Sequence, residues 1–405
     1  MTFTSAFISV KQTQRLFACY DQWLTDYQDY WQFSPFAHHT FPWPKPSLKH
    51  RLEQLSLEQL TQFEQQPTLA RSYFAEYFPE LTQNQESWPL TVPQTRSLIS
   101  PFWLSNGIKG RKLEQIAAFC QQLHGETRPV LEWCAGKGHL GRFISYHHQL
   151  PVTSLEWQAP LCEEGQQLAQ KLNLSQHFEH CDVLAEPPQA TLNKQQHVVA
   201  LHACGELHLQ LLRLASQQRP QRLSLCPCCY HLISTPYYQP LSEQAQQSSL
   251  QLSKADLRLA VAQSVTSGQR VQNLRQTEIH WRLSYQCLRE QVTGQSDYQA
   301  LPSVAKHWFA QGSSFADFAQ WASQQHQLAL PESIDWADYL NLGRERHLQV
   351  RKSELIQQLF RPILERWLIL DRCLFLQKHG YQLKLVELFP FQTSPRNVLI
   401  QAELP

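Results

Sequence analysis

Hydrophobic positions along this chain change period twice. Over residues 1–95 they recur at helical spacing in QRLFACYDQWLTDYQDYW and again in LEQLSLEQLTQFEQ, with the proline-rich FPWPKPS between. That pattern predicts helices broken by prolines. After Pro101, KGRKLEQIAAFCQQL repeats the i, i+3, i+4 spacing and predicts a helix leading into a core. From about Arg128 to Ser234 short apolar runs take over: PVLEWC, VTSLEW, FEHCDV, HVVALHAC and RLSLCP, with helical stretches between them. This is the β-α-β rhythm of a parallel sheet buried on both faces.

Between Pro236 and Phe360 the strand signal disappears, and amphipathic stretches such as ADLRLAVAQSV, HWRLSYQCLREQV, SFADFAQWASQQH and SELIQQLF predict a helical insertion. The tail gives a helix, ILERWLILDRCLFLQKHG, stopped by Gly380 as a C-cap. Two strands follow, QLKLVELF and NVLIQAEL, joined by PFQTSPR. The expected organisation is therefore a helical region over 1–95, an α/β core over 96–235, an insertion over 236–360 and a core-completing helix and strand pair over 361–405.

Composition narrows the function classes. At 405 residues the chain can bury a sizeable core. Lys and Arg total 35 against 34 Asp and Glu, so no global field draws in a polyanion, and any nucleic-acid face has to be local. Eleven cysteines is an odd count, and they cluster between Cys134 and Cys229, which argues for a reducing compartment over a disulfide framework. No apolar run is long enough to span a membrane, and the first residues lack the basic flank of a secretory signal. A cytoplasmic protein is expected.

The candidate chemistry starts at VLEWCAGKGHLG. Gly136, Gly138 and Gly141 precede a helix, where backbone N–H groups and the helix N-terminus favour a polar ligand. Taken literally they satisfy the GxGxxG of a dinucleotide fold, so an NAD-dependent oxidoreductase is one reading. Glu132 points elsewhere: a carboxylate at the strand end can accept from an ammonium group, such as that on the methionine moiety of S-adenosylmethionine. Glu156 ends the next strand, where it could hold both ribose hydroxyls, and Asp182 the one after, where it could accept from the adenine amino group. Each acid also has a plain alternative as a loop residue or helix cap.

Strand four ends in ALHACGEL and strand five in CPCCYH, and adjacent strands lie about 4.8 Å apart, so the two clusters should meet. His202 or His231 could then take a proton from an acceptor, with Tyr230 orienting it and Cys229 on the same rim. A thiolate metal site is the other possibility, although C-x-C-C is not a normal zinc spacing, and no metal is assigned. Cys226, and Cys204 beside it, can equally be small apolar core residues.

At these residues the chain resembles class I methyltransferases of the methyltransferase domain 32 type, including methyltransferase-like proteins once labelled rRNA adenine dimethylase domain-containing. The matching pieces are KGRKLEQIAAF, LEWCAGKGHLG, ALHACGEL, LCPCCYHL, LDRCLFLQKHG and LFPFQTSPRNVLI. The resemblance implies a Rossmann-like, seven-stranded sheet whose last strand is antiparallel, and S-adenosylmethionine as cofactor. The cofactor contacts assigned are Glu132, Cys134, Gly136, Lys137, Gly138, Glu156, Asp182, His202 and Ala203. Cys134 stands where class I enzymes often carry glycine, and CGEL replaces a frequent CGDL. The glycine-lysine-glycine step and the Cys-Cys-aromatic-His run are also locally similar to tRNA 2′-O-methyltransferases.

The leading expectation is a methyltransferase acting on tRNA or rRNA at a hydroxyl or nitrogen. It rests on that resemblance and on two basic clusters. One is Lys109, Arg111 and Lys112 beside the mouth, and the other Lys45, Lys49 and Arg51, with Trp43 or Trp103 available for stacking. A noncatalytic protein with a degenerate site is the third reading.

Overall fold

The computed structural model describes residues 7–83, 88–93, 98–186, 188, 191–262, 269–391 and 393–405. The expected boundary at 95/96 and the end of ADLRLAVAQSV lie outside them.

One largely parallel sheet organises the larger part of the chain. Its strands are β1 (Leu90–Thr91), β2 (Val130–Glu132), β3 (Val152–Glu156), β4 (Gln176–His180), β5 (His197–Leu201), β6 (Arg222–Cys226), β7 (Gln382–Glu387) and β8 (Val398–Glu403). They lie in the order β1-β7-β8-β6-β5-β2-β3-β4. Only β8 runs against its neighbours, pairing antiparallel with β6 and β7. All of β2 and nearly all of β5 are buried, so no alternating polar face appears in their sequences.

Parallel neighbours need crossovers. Helices α1 (Val10–Asp26) and α2 (Gly110–Gln121) come first; the crossovers between sequential parallel neighbours are α3 (His139–His148), α4 (Ala159–Lys171) and α5 (Glu206–Gln218), and α6 (Lys254–Val261) follows β6. Leu104, Ile116 and Phe119 pack with Phe143, Val199 and Leu399 in the core on one side of the sheet. After β4 the chain returns to the other side of β2, so β2 and β5 flank the point where strand order reverses. In such sheets the crevice at the carboxyl ends of those strands is the ligand position.

The seven expected strands are present, and β1 adds a short eighth beside β7. Two residues between Pro89 and Pro93 cannot show a periodicity, and proline confines such a segment to an edge. Strand β4 ends before Asp182, because that carboxylate accepts from the backbone of Leu184 and Ala185 and turns the chain out of the sheet.

Two compact units emerge. The sheet unit comprises residues 1–26, 86–263 and 361–405, and the second unit 27–85 and 264–360. In the second, α7 (Gln269–Thr293) and α8 (Phe315–Gln325) pack through Trp281, Tyr285, Phe315 and Phe318. Short helices at Pro46–Glu53 and Leu57–Gln65 belong to it, the latter opened by a Ser56 capping box. FPWPKPS does not present an aromatic to solvent: Trp43 is fully buried, stacked on Phe41 and Tyr30. Arg51 lies over Tyr73 and Lys45 over Tyr77, so neither Trp43 nor these cations form an open stacking surface.

SELIQQLF and ILERWLIL are one helix, α9 (Trp336–Lys378), which continues through Pro362. In its later half Asp371 and Arg372 are adjacent and fully buried. Asp371 accepts from Tyr238 Oη (2.6 Å), the backbone of Leu241 (3.1 Å) and both the backbone and hydroxyl of Ser242 (2.7 and 2.6 Å). Arg372 donates to His208 Nε2 and to the carbonyl of Leu368, with its guanidinium over Tyr230. No helix among the described residues is long and apolar enough to cross a membrane.

Candidate functional site

A cavity of about 200 Å³ opens at the carboxyl ends of β2, β3 and β5, lined among others by Cys134, Gly136, Glu156, Asp182, His202 and Leu207. Its backbone is unusual. Seven described residues other than glycine have positive φ. Gln149, Asn173, Arg219 and Gln327 do so at or just past helix C-termini, where left-handed caps are routine. The remaining three, Cys134 (57°), His202 (69°) and Cys229 (45°), are all in loops at the carboxyl edge of the sheet. Strain held in a non-glycine residue concentrates at ligand and catalytic sites.

Glu156 is fixed by the turn it faces. Its Oε2 accepts from the backbone N–H of Gly136 (2.8 Å) and its Oε1 from that of Gln158 (3.0 Å). A Cβ built on Gly136 meets nothing within 4 Å, so the space above the bend is open. Asp182 stands on the same cavity beyond β4, exposed, with Oδ1 turned to its own loop. An open glycine bend between two carboxylates suits a nucleoside with a cationic tail, and these residues fit S-adenosylmethionine. Trp157, exposed and directly after Glu156, adds an aromatic wall.

His202 contributes an imidazole. Its Nε2 is 2.8 Å from Gln115 Oε1 on α2; the amide oxygen is an acceptor, so the ring proton sits on Nε2 and Nδ1 keeps its lone pair. Burial, with Lys112 second, lowers the ring's pKa below the usual histidine range.

Glu132 does not line the cavity, contrary to its expected place beside the ligand's ammonium. Its Oε2 accepts from Ser154 Oγ (2.7 Å), and the backbone of Gly141 also donates to the carboxylate. Gln176 Nε2 continues the chain to Ser154 Oγ and to the carbonyl of Gly138. The carboxylate thus pins the start of α3 to β2 and β3 from beneath. A Cβ on Gly141 would come within 2.5 Å of Glu132 Oε2, which explains that glycine without reference to a ligand. Gly138 is likewise a packing position, its would-be Cβ striking Phe178 at 2.2 Å.

Burial pushes the Glu132 carboxyl up to about 7, against the hydrogen bonds from Ser154 and Gly141. A carboxyl raised in the fold stabilises it below the unfolded value of 4.5, and that contribution is lost as pH rises through about 7. Glu132→Gln is therefore expected to gain on the wild type between pH 5 and pH 8, by about 2–3 kcal/mol. Urea unfolding across that range checks it; a difference that stays flat with pH would sink the assignment.

The other expected contacts are dispersed. Lys137 is exposed and paired with Glu164 (2.9 Å). Ala203 is fully buried, its carbonyl accepting from His208 Nδ1 (3.0 Å). Tyr230 cannot orient an acceptor, since it is 1% exposed and packed between Arg372 and His208. His231 does not line the cavity either. Cys229 lies with Cys204 and Cys228 in a sulfur cluster, where hydrogen bonds from those two thiols lower its pKa.

Sequence reasoning missed Gln115, Gln158, Trp157 and the Ser154–Gln176 pair. Gln115 had a legible signal: it is a polar residue next to Ile116 on the apolar stripe of α2, and it is buried. The Ser154–Gln176 contact crosses neighbouring strands and leaves no mark in one-dimensional spacing.

Residues 109–236 match the family Methyltransf_32, described as a methyltransferase domain. Among solved structures, the chain is similar to the Pyrococcus abyssi tRNA (uracil-54, C5)-methyltransferase with S-adenosyl-L-homocysteine. There the identity is 16% over 28% of this chain and 28% of that one, with a TM-score of 0.24. A geranyl diphosphate methyltransferase with sinefungin matches at 15% identity over 34% and 53%, TM-score 0.25. Coclaurine N-methyltransferase matches at 13% over 44% and 55%, TM-score 0.25. The chain thus spans about a quarter to just over half of the length of these proteins. By the family match, residues 109–236 are a methyltransferase domain.

Proposed function

We propose that the protein methylates RNA, tRNA or rRNA, at a hydroxyl or nitrogen, using S-adenosylmethionine held between Glu156 and Asp182. The observation that carries RNA as acceptor is the position of α2. Gln115 on this helix bonds the imidazole of His202 in the cavity, and one turn earlier Lys109, Arg111 and Lys112 are exposed. Phe102 is 84% exposed just before the helix, and Trp103 and Tyr146 form an exposed edge-to-face pair. Cations that hold phosphate beside rings that stack on bases are the two components of single-strand RNA binding.

The bound donor supplies an electrophilic methyl on a sulfonium. What the chain supplies is positioning and one proton acceptor. Glu156 orients the ribose, the open face of the bend at Gly136 receives the polar tail, and His202 Nδ1 takes the acceptor's proton while Gln115 keeps Nε2 protonated.

The test is RNA affinity against salt, with nucleoside mass spectrometry of RNA from cells with and without the gene. Reversing Lys109, Arg111 and Lys112 to Glu should weaken binding roughly 10- to 100-fold at moderate salt. The log–log salt slope should fall by about 2, since each phosphate contact on a single strand contributes about 0.7. Unchanged affinity and slope, with no modified nucleoside lost from the gene deletion, would reject RNA. A thermal shift with NAD and none with S-adenosylhomocysteine would instead favour an oxidoreductase.

A further inference from the structure

We propose that Cys204, Cys228 and Cys229 form a binding site for a thiophilic divalent cation, Zn2+, with three protein ligands and an open fourth position. The inference does not depend on RNA being the acceptor.

The three thiols come from two different loops, after β5 and after β6, and their sulfurs all lie within 4.8 Å of one another. Cys204 Sγ and Cys228 Sγ are 3.2 Å apart. Zinc–thiolate bonds of about 2.3 Å at tetrahedral angles place sulfurs about 3.8 Å apart, so a metal at the centre requires only small side-chain adjustments. C-x-C-C looks wrong for zinc because neighbouring cysteines on one strand point apart. The fold removes that objection: β6 ends at Cys226, which turns away and donates to the carbonyl of Arg396 (3.6 Å), while Cys228 and Cys229 lie in the loop beyond, Cys229 with a φ of +45°, and Cys204 from the other loop supplies the third sulfur.

The scaffold beneath the sulfurs is built and braced. Gly205 N–H donates to the carbonyl of Cys228 (3.2 Å), Glu206 N–H to that of Leu232 (2.7 Å), and Leu232 N–H to that of Cys229 (3.0 Å). Gly205 has a φ of +56°, and a Cβ there would overlap Leu232 O at 2.0 Å, so the two loops meet as closely as backbone allows. That brace holds Cys229 in its left-handed conformation. Arg396 lies close enough to act on Cys204 and Cys229 electrostatically, offsetting the excess negative charge of three thiolates on one divalent ion.

Three protein ligands with a vacant fourth position is the pattern of catalytic rather than structural zinc, where the open position takes water or a substrate atom and lowers its pKa. Cys204 is two residues from His202, which lines the cofactor cavity. The segment His202–Cys204 thus joins the proposed metal site to the cavity wall.

The deciding experiment is metal analysis of the full-length protein purified under reducing conditions, with Co2+ replacing zinc as a spectroscopic probe. Close to one zinc per chain is expected, with the thiolate-to-cobalt charge-transfer band of a sulfur-rich tetrahedral site. Cys204→Ser and Cys229→Ser should each weaken zinc binding roughly 100-fold or more, since each removes one of only three protein ligands, while Cys226→Ser retains it. If the serine variants do not fold, the wild-type zinc content and cobalt spectrum decide alone. Wild-type protein without zinc and without the cobalt band overturns the proposal, as does zinc kept by both serine variants. A Cys204–Cys228 disulfide in mass spectra of that protein would also overturn it and make the cluster a redox pair.

Discussion

Replacing His202 with alanine is expected to lower kcat roughly 10²- to 10³-fold while leaving S-adenosylhomocysteine affinity within a few-fold. The reason is the tautomer. Gln115 Oε1 accepts from Nε2, so the free lone pair is on Nδ1, and the ring lines the cavity in a strained left-handed conformation. Burial, then Lys112, holds its pKa below the 6.5 of a free imidazole. A base works in its unprotonated form, so the wild-type rate should be flat at neutral pH and fall only on the acid side, below 6.5. Removing the charge by Lys112→Met should move that acid limb to higher pH, and in His202→Ala the limb should disappear. Single-turnover rates across pH 5 to 9 read both effects. A His202→Ala enzyme with wild-type kcat, or an acid limb that ignores Lys112, would remove His202 from the chemistry.

The second large effect is expected at Asp371, far from the glycine turn in sequence. Its carboxylate takes four hydrogen bonds from Tyr238, Leu241 and Ser242, and no part of it reaches solvent. Asp371→Ala leaves those donors buried and unpaired beside the buried guanidinium of Arg372. A loss of about 3–5 kcal/mol is expected, the range for breaking one partner of a buried charge network. The segment it anchors, from Tyr238 to Ser242, follows the Cys226–His231 loop, so the loss falls on the sheet unit. Urea unfolding, followed by the total tryptophan fluorescence and far-UV circular dichroism of the chain, measures that loss. A loss under about 1 kcal/mol would show that the donors find water instead. Asp371→Asn should not rescue fully, because its amide NH2 faces donors.

Much of this architecture could be read without coordinates. The runs VLE, VTSLE, HVVAL and RLSLC became β2, β3, β5 and β6, because a strand buried on both faces shows a mostly apolar run in place of a polar alternation. Glu156, Asp182 and His202 line the cavity for a related reason: the end of a parallel strand is the first place a polar residue can stand, and the strand order puts those ends at one crevice. Cys134 and Gly136 followed from the same turn. What failed was direction at particular positions. Glu132 is two residues before Cys134 on the cavity wall and Tyr230 follows Cys229, yet one turns beneath the helix and the other into the core.

The sequence by itself determined the α/β class, the strands and their carboxyl-edge acids, because period and burial are local properties written into residue type. Tertiary structure alone decided that Glu132 braces the turn from below, that Trp43 is buried, that Asp371 anchors a distant loop, and that Cys204 joins Cys228 and Cys229 in place of Cys226. Each of these depends on which elements become neighbours and on where a side chain turns within a crowded interior. Close packing admits only one of several rotamers that the local backbone would otherwise permit.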